Sequence, residues 1–199
     1  MPYIKTLPKP DNRPSLHYRI TVKDIEGRIE YDSGLKESGS WVLNLLKVLY
    51  VKFAQANLAG VVDTGGTSRT MLSAANIFGT APINTATYGI VVGTGTNAVA
   101  ITDTALQTPI ATGSGAGQLN YQLMRSATVP TISSTQLVWT WGRDFINNSG
   151  GSITVQEIGQ VLDDTSGGWF FLIMRDLTGG VAVGNTKTLS VDYTWTQGL

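Results

Sequence analysis

From residue 58 to residue 199 the chain holds no apolar pattern with the 3.6-residue period of a helix. It offers only short runs that alternate apolar and polar residues and stop at turn-forming clusters. Alternation is cleanest at Leu189, Val191, Tyr193 and Trp195. It recurs at Leu137, Trp139 and Trp141, at Leu119, Tyr121 and Leu123, and at Ile153 and Val155. Two fully apolar runs, 88–92 and 169–174, read as strands covered on both faces. Residues 58–63 and 69–72 flank Gly65 and Gly66 as a further pair. Clusters at 112–117, 147–151, 163–168 and 179–185 supply the turns. Seven or eight short strands with no intervening helix exclude α/β folds. The expected class is all-β, a jelly-roll-like sandwich over residues 58–199.

Upstream, the character of the chain changes. Residues 1–53 carry 15 of the 28 charged side chains. Residues 1–16 contain Pro2, Pro8, Pro10 and Pro14, which restrict the backbone to extended geometry and read as an arm. Tyr18, Ile20 and Val22, then Ile29 and Tyr31, read as a hairpin turning at Glu26 and Gly27. We therefore divide the chain into an arm and hairpin (1–37), a helix segment (38–57) and the sandwich (58–199). Ser40 is the expected N-cap of a helix over 40–54, whose apolar residues leave only a narrow polar stripe through Asn44, Lys47 and Gln55. That pattern predicts burial on most sides, between hairpin and body or against another copy. Trp41, Leu45, Val48, Leu49 and Phe53 are the expected packing residues.

Composition bears on chemistry. There is one histidine, His17, and no cysteine, so the residues that carry most nucleophilic, acid–base and transition-metal chemistry are nearly missing. No enzymatic function and no cofactor are expected. Net charge is zero and only 14% of residues are charged, which argues against nucleic acid. It suits a surface covered by partners. The run 41–54 is too short to span a membrane, which takes about 20 residues. The first ten residues have no apolar core, so no secretory signal is read there.

Four motifs need weighing. Gly93, Gly95 and Ala98 fit the glycine fingerprint of dinucleotide sites. The β-branched residues that follow do not start a helix, and no acid stands about 20 residues on, so they read as loop geometry. Asp163 and Asp164, and Asp63, sit beside glycines; they read as side-chain-stabilised turns before they read as calcium ligands. Glu157, in an apolar stretch, faces solvent or pairs with Arg175 or Arg143. Trp139, Trp141, Trp169 and Trp195 could form a sugar platform, while the shared strand face of Trp139 and Trp141 points to the core.

Several segments together resemble a family of virion structural proteins of tailed bacteriophages. They are the apolar helix 40–53, Val-Val-Asp-Thr-Gly-Gly-Thr-Ser-Arg at 61–69, and Tyr-Gly-Ile-Val-Val-Gly-Thr-Gly-Thr at 88–96. Ile-Thr-Asp-Thr-Ala-Leu-Gln-Thr-Pro-Ile at 101–110, Ile-Thr-Val-Gln-Glu-Ile-Gly at 153–159, Phe-Leu-Ile-Met-Arg at 171–175 and the run 188–196 complete the set. The likeness covers about residues 38–197 and departs at Gln160 and Val161. It implies an oligomeric β-sandwich subunit of a head or tail, with no enzymatic activity. The expected role is a decoration or cement protein on the head of the virion. Its expected partners are further copies, a homotrimer first, and the major capsid protein. Tyr3, Lys5, Lys9 and Arg13 of the arm would then contact neighbouring capsid chains. A tail, collar or baseplate component and a carbohydrate-binding adhesion module are the alternatives.

Overall fold

The computed structural model describes residues 14–133 and 136–198. Strands take up 49% of the described residues and helix 7%, and the strands form packed sheets. The fold is all-β, a sandwich with a single helix among the described residues.

The larger sheet has the order β2 (Ile29–Asp32), β1 (Ser15–Lys23), β13 (Thr188–Gly198), β10 (Gln136–Ile146) and β8 (Asn120–Tyr121). A short β3 (Lys36–Glu37) adds to β1, and β9 (Thr131–Ser133) adds to β10. The smaller sheet joins β12 (Trp169–Val183) to β11 (Ile153–Asp164), which also pairs β6 (Ile77–Phe78) and β7 (Gly89–Gly93). A hairpin of β4 (Leu58–Val62) and β5 (Ser68–Met71) stands apart. From β10 to β13 the chain winds as a ribbon. The inner pair β11/β12 lies in the smaller sheet, and the outer pair β10/β13 lies in the larger.

Strand β1 lies inside the larger sheet. It pairs antiparallel with β13 without a break, from Ser15 opposite Thr196 to Lys23 opposite Thr188. Leu16, Tyr18, Ile20 and Val22 are buried, as the period-2 pattern requires. The hairpin is thus part of the sandwich, and Ser15 and Leu16, read above as the end of the arm, are its first strand residues. Their pairing partner is 181 residues away, so no local pattern reveals it. The turn read over 179–185 starts later than expected. β12 continues to Val183 and the turn falls at residues 184–187, closed by Lys187 N on Gly184 O, while Gly179 (φ +78°) and Gly180 (φ +91°) sit close to a register shift within the strand.

Hydroxyl and amide groups tie the two sheets across the core. Tyr18 Oη donates to Leu177 O at 3.1 Å, and Tyr193 Oη donates to Asp176 Oδ2 at 3.1 Å. Trp141 Nε1 donates to Gln160 Oε1 at 3.0 Å. Arg143 on β10 is fully buried with no carboxylate beside it. Its guanidinium donates to the carbonyls of Gln122, Tyr88, Ile90 and Pro82, and lies 4.8 Å from the centre of the Tyr121 ring. Burial pushes its pKa down to about 10, so it stays charged at neutral pH. The cation pins the entry to β7 onto the larger sheet.

The helix, α1 (Leu43–Ala54), begins three residues later than the sequence pattern suggests. Ser40 does not cap it, because its hydroxyl donates to Asp176 Oδ1 at 2.6 Å. Val42 holds the cap position, with no side-chain cap. Burial on most sides does not hold within the chain. Only Asn44, Val48 and Val51 are buried, and the helix lies against β12 and β4 by one side.

Truncation tests the role of β1. A chain starting at residue 14 keeps every described strand and should melt cooperatively, whereas one starting at residue 24 removes five buried side chains and one of the two partners of β13. The second chain should lose its near-ultraviolet circular dichroism at 25 °C; retention of a native spectrum would show that the sheet closes without β1.

Candidate binding surfaces

Three features of the sandwich bear on what it can contact. The first is a cleft of about 300 Å³ at the open side between the sheets. Trp139 and Trp141 of β10 line it opposite Gln160 and Leu162 of β11 and Ile173 of β12, with Met124 and Gly79 at the rim. The tryptophans form a row: Trp141 lies 4.8 Å from Trp139, Trp139 lies 6.5 Å from Trp195, and Trp195 lies 5.3 Å from Trp41. All four are half-buried. The wall offers little to a sugar. Gln160 spends Oε1 on Trp141 Nε1 and Nε2 on the carbonyls of Gly79 and Val161. What remains, apart from Thr80, is aromatic and aliphatic surface.

The second feature is the outer side of α1. Of the packing residues expected from sequence, Val48 is buried and Trp41 and Leu45 pack against the chain's own core. Leu49 and Phe53 face outward, 41% and 86% exposed. Leu43, Leu46 and Tyr50 are exposed beside them, three residues that the sequence reading did not single out. The signal was there, in the 3-4-3 spacing of Leu43, Leu46, Tyr50 and Phe53. A helix apolar all round hid which side the body would take. Tyr3, Lys5, Lys9 and Arg13 lie outside the described residues.

The third feature is a buried ionic network under the loop that follows β7. Glu157 is fully buried and pairs with Arg175, whose Nε donates to Glu157 Oε2 at 2.7 Å. Arg175 also donates to Asp103 Oδ2 at 2.8 Å and to Asn97 O at 3.0 Å. The carboxylate of Glu157 accepts the backbone N–H groups of Gly95, Gln107 and Thr108 at 2.8–3.1 Å. This explains the glycines. A Cβ on Gly93 or Gly95 would fall 2.5 Å from Glu157 Oε1, so the carboxylate sits where a side chain would be. The motif that mimics a phosphate-binding turn folds around the protein's own anion. With every donor and acceptor engaged, the arrangement holds a loop and presents no free acid or base.

The remaining acids have similar roles. Asp63 accepts the N–H groups of Gly65 and Thr67 and pairs with Arg69 at 2.7 Å, and these contacts hold its pKa below the usual range despite burial. Asp164 accepts from the N–H and hydroxyl of Ser166. No group of three or more histidine, cysteine or acidic residues is placed to hold a metal among the described residues. His17 lies on β1 opposite Thr194, within the sheet. Asp176 differs from the others. It is buried with no cation beside it, held by the hydroxyls of Ser38, Ser40 and Tyr193, and desolvation raises its pKa. No protein family, curated protein or solved structure matches the chain.

Two predictions follow from the buried charges. Arg175→Met leaves Glu157 buried without its cation and should cost about 3–5 kcal/mol in urea unfolding; Gly95→Ala, which displaces the same carboxylate, should cost about 1–3 kcal/mol. Values near zero would mean that the loop is not held by this network. For Asp176, a raised native pKa means that the folded protein binds the proton more tightly than the unfolded chain. Its contribution is fully present below the unfolded value of 3.8 and is lost as pH rises through the native value. The stability of Asp176→Asn relative to wild type should therefore be most favourable at pH 7 and should decline as pH falls towards 4. A difference that is flat in pH would refute the assignment.

Proposed function

We propose that this chain is a non-enzymatic structural subunit of a tailed-bacteriophage virion, a decoration or cement protein that docks on the assembled head and stabilises it. The support is the ordered set of segments that resemble such proteins, together with the use the fold makes of its polar groups. Asp63, Glu157 and Asp176 are engaged within the fold through both carboxylate oxygens, and Asp164 through one, its Oδ2 being buried without a partner among the described residues. Such a body is a rigid block, and its contacts with partners fall to its apolar surfaces and its N-terminal segment.

The expected partners are further copies of the chain, a homotrimer first, and the major capsid protein. Residues 1–13 precede β1, and β1 begins beside the chain leading to α1: Ser38 N donates to Leu16 O at 2.8 Å. The start of β1 and the segment that leads into α1 thus lie side by side. An arm that contacts a neighbour while the body contacts the head gives two linked attachments, and the second is strengthened by high effective concentration. A tail, collar or baseplate component remains the competing virion role, since it asks for the same body and arm. The half-buried tryptophan row is the one observation favouring the adhesion reading. The scarcity of hydrogen-bonding groups in the cleft, where Thr80 and the tryptophan indoles join the fully engaged Gln160, disfavours it, because sugars are held by such groups as well as by stacking.

Copy number in purified particles tests the reading. Hundreds of copies per virion are expected for a head protein, and roughly 6 to 20 would place it in the tail, where symmetry repeats a few times around one axis. Deleting residues 1–13 should leave the body folded and lower the temperature at which heads release their contents. Heads stabilised equally by the truncated protein would remove the cement mechanism. Tryptophan emission should not shift on titration with millimolar glycans; a saturable shift would favour the adhesion module.

A further inference from the structure

Helix α1 carries two apolar faces, and the fold uses one. Val48 and Val51 are buried against the body, with Asn44 Nδ2 donating to Val62 O at 2.9 Å. On the other side Leu43, Leu46, Leu49, Tyr50 and Phe53 are exposed by 41%, 58%, 41%, 52% and 86%. At about 100° per residue these five fall in a stripe about 120° wide. Within it Leu43, Leu46, Tyr50 and Phe53 recur with the 3-4-3 spacing of alternating a and d positions, the seam by which one helix packs its knobs into another.

We propose that this seam pairs with the same seam on α1 of a second copy of the chain, side by side, as the contact through which the subunits associate. This specifies the surface for the self-association put forward above, on which it rests, and makes a two-fold dimer the unit in place of the homotrimer.

Three observations select a second copy. The seam fits a helix, and α1 is the only helix among the described residues, so among them no second helix can cover it. The seam is uncharged. The helix has no acidic residue, and its lysines are turned to the body: Lys47 Nζ donates to Gly60 O at 2.7 Å, and Lys52 Nζ donates to Ser73 O and Ala75 O. Two copies can therefore approach without opposed like charges, while a charged partner would find nothing to pair with. The area also suits the role. Tyr50 and Phe53 together present on the order of 250 Å², and with the three leucines the face reaches the few hundred Å² typical of functional patches. Two such faces with their flanks bury on the order of 1,000 Å², the lower bound for a specific contact.

Sedimentation of the full chain tests this. Wild type at about 100 μM should run well above the 21.3 kDa of one chain. Leu46→Glu and Phe53→Glu, each placing a carboxylate in the seam, should weaken association about 100-fold or more and return the mass to 21.3 kDa. Both residues are exposed in the single chain, so far-ultraviolet circular dichroism and melting temperature should stay within error of wild type. Tyr50→Cys, in a chain that has no other cysteine, should give a disulfide-linked dimer under mild oxidation, and Thr186→Cys, on a distant turn, should not. A wild type that remains a single chain overturns the proposal. If wild type associates and both glutamate variants associate equally, the subunits join through another surface: the seam is wrong and the self-assembling reading stands. The virion reading is judged separately, by copy number in particles.

Discussion

The nine-residue pairing of β1 with β13 is the constraint on which the rest of the structure depends. It joins the two ends of the chain in the middle of the larger sheet, with β10 on the far side of β13. Without it β13 would be an edge strand with a row of open backbone groups, and Leu16, Ile20 and Val22 would lose their place in the core. The same pairing sets where the N-terminal arm leaves the body and brings residues 38–42 alongside the sheet junction. There Ser38 and Ser40 meet Asp176, and the helix starts. Closing so long a loop is entropically costly and gains contacts only late, which marks the fold as one dominated by non-local pairing.

Buried charge does a second kind of work. Arg143 and the Glu157–Arg175 pair are cut off from water, and each is surrounded by backbone groups of segments with little regular structure. Arg143 gathers the carbonyls of Pro82, Tyr88 and Ile90; Glu157 gathers the N–H groups of Gly95, Gln107 and Thr108. In a chain with few charges these ions stand in for secondary structure. They give long connections the hydrogen bonds that a buried backbone must find. Buried ions add little net stability compared with an apolar core, yet removing one partner is costly, so these connections hold a single geometry.

This division shapes the functional reading. Buried polar groups are spent on structure, and many exposed charges pair with one another, as Arg19 does with Asp32 and Arg125 with Asp144 and Asp192. Apolar surface stays open at the outer side of α1, in the tryptophan-lined cleft, and at exposed side chains such as Ile29, Val129 and Ile132. In the role proposed above, these open apolar surfaces would meet partners by shape and burial more than by charge.

Much of the fold was legible in the sequence because strand pairing within a hairpin is local. Alternation at Leu189, Val191, Tyr193 and Trp195, the apolar run over 88–92, which falls one residue from β7, and the turn between β4 and β5 each follow from neighbours a few residues apart. The pairing of Glu157 with Arg175 was also within reach, since a buried acid requires a cation and few were available. Tertiary structure alone decided the rest. It placed the first hairpin inside the sheet, because register between strands whose partners lie 165 to 181 residues apart leaves no local trace. It recruited Ser40 to Asp176 instead of to the helix cap, because a buried carboxylate needs donors more than an exposed helix end does. It also chose which side of an all-apolar helix to bury: hydrophobicity drives burial without direction, and only the shape of the body settles which residues are left facing out.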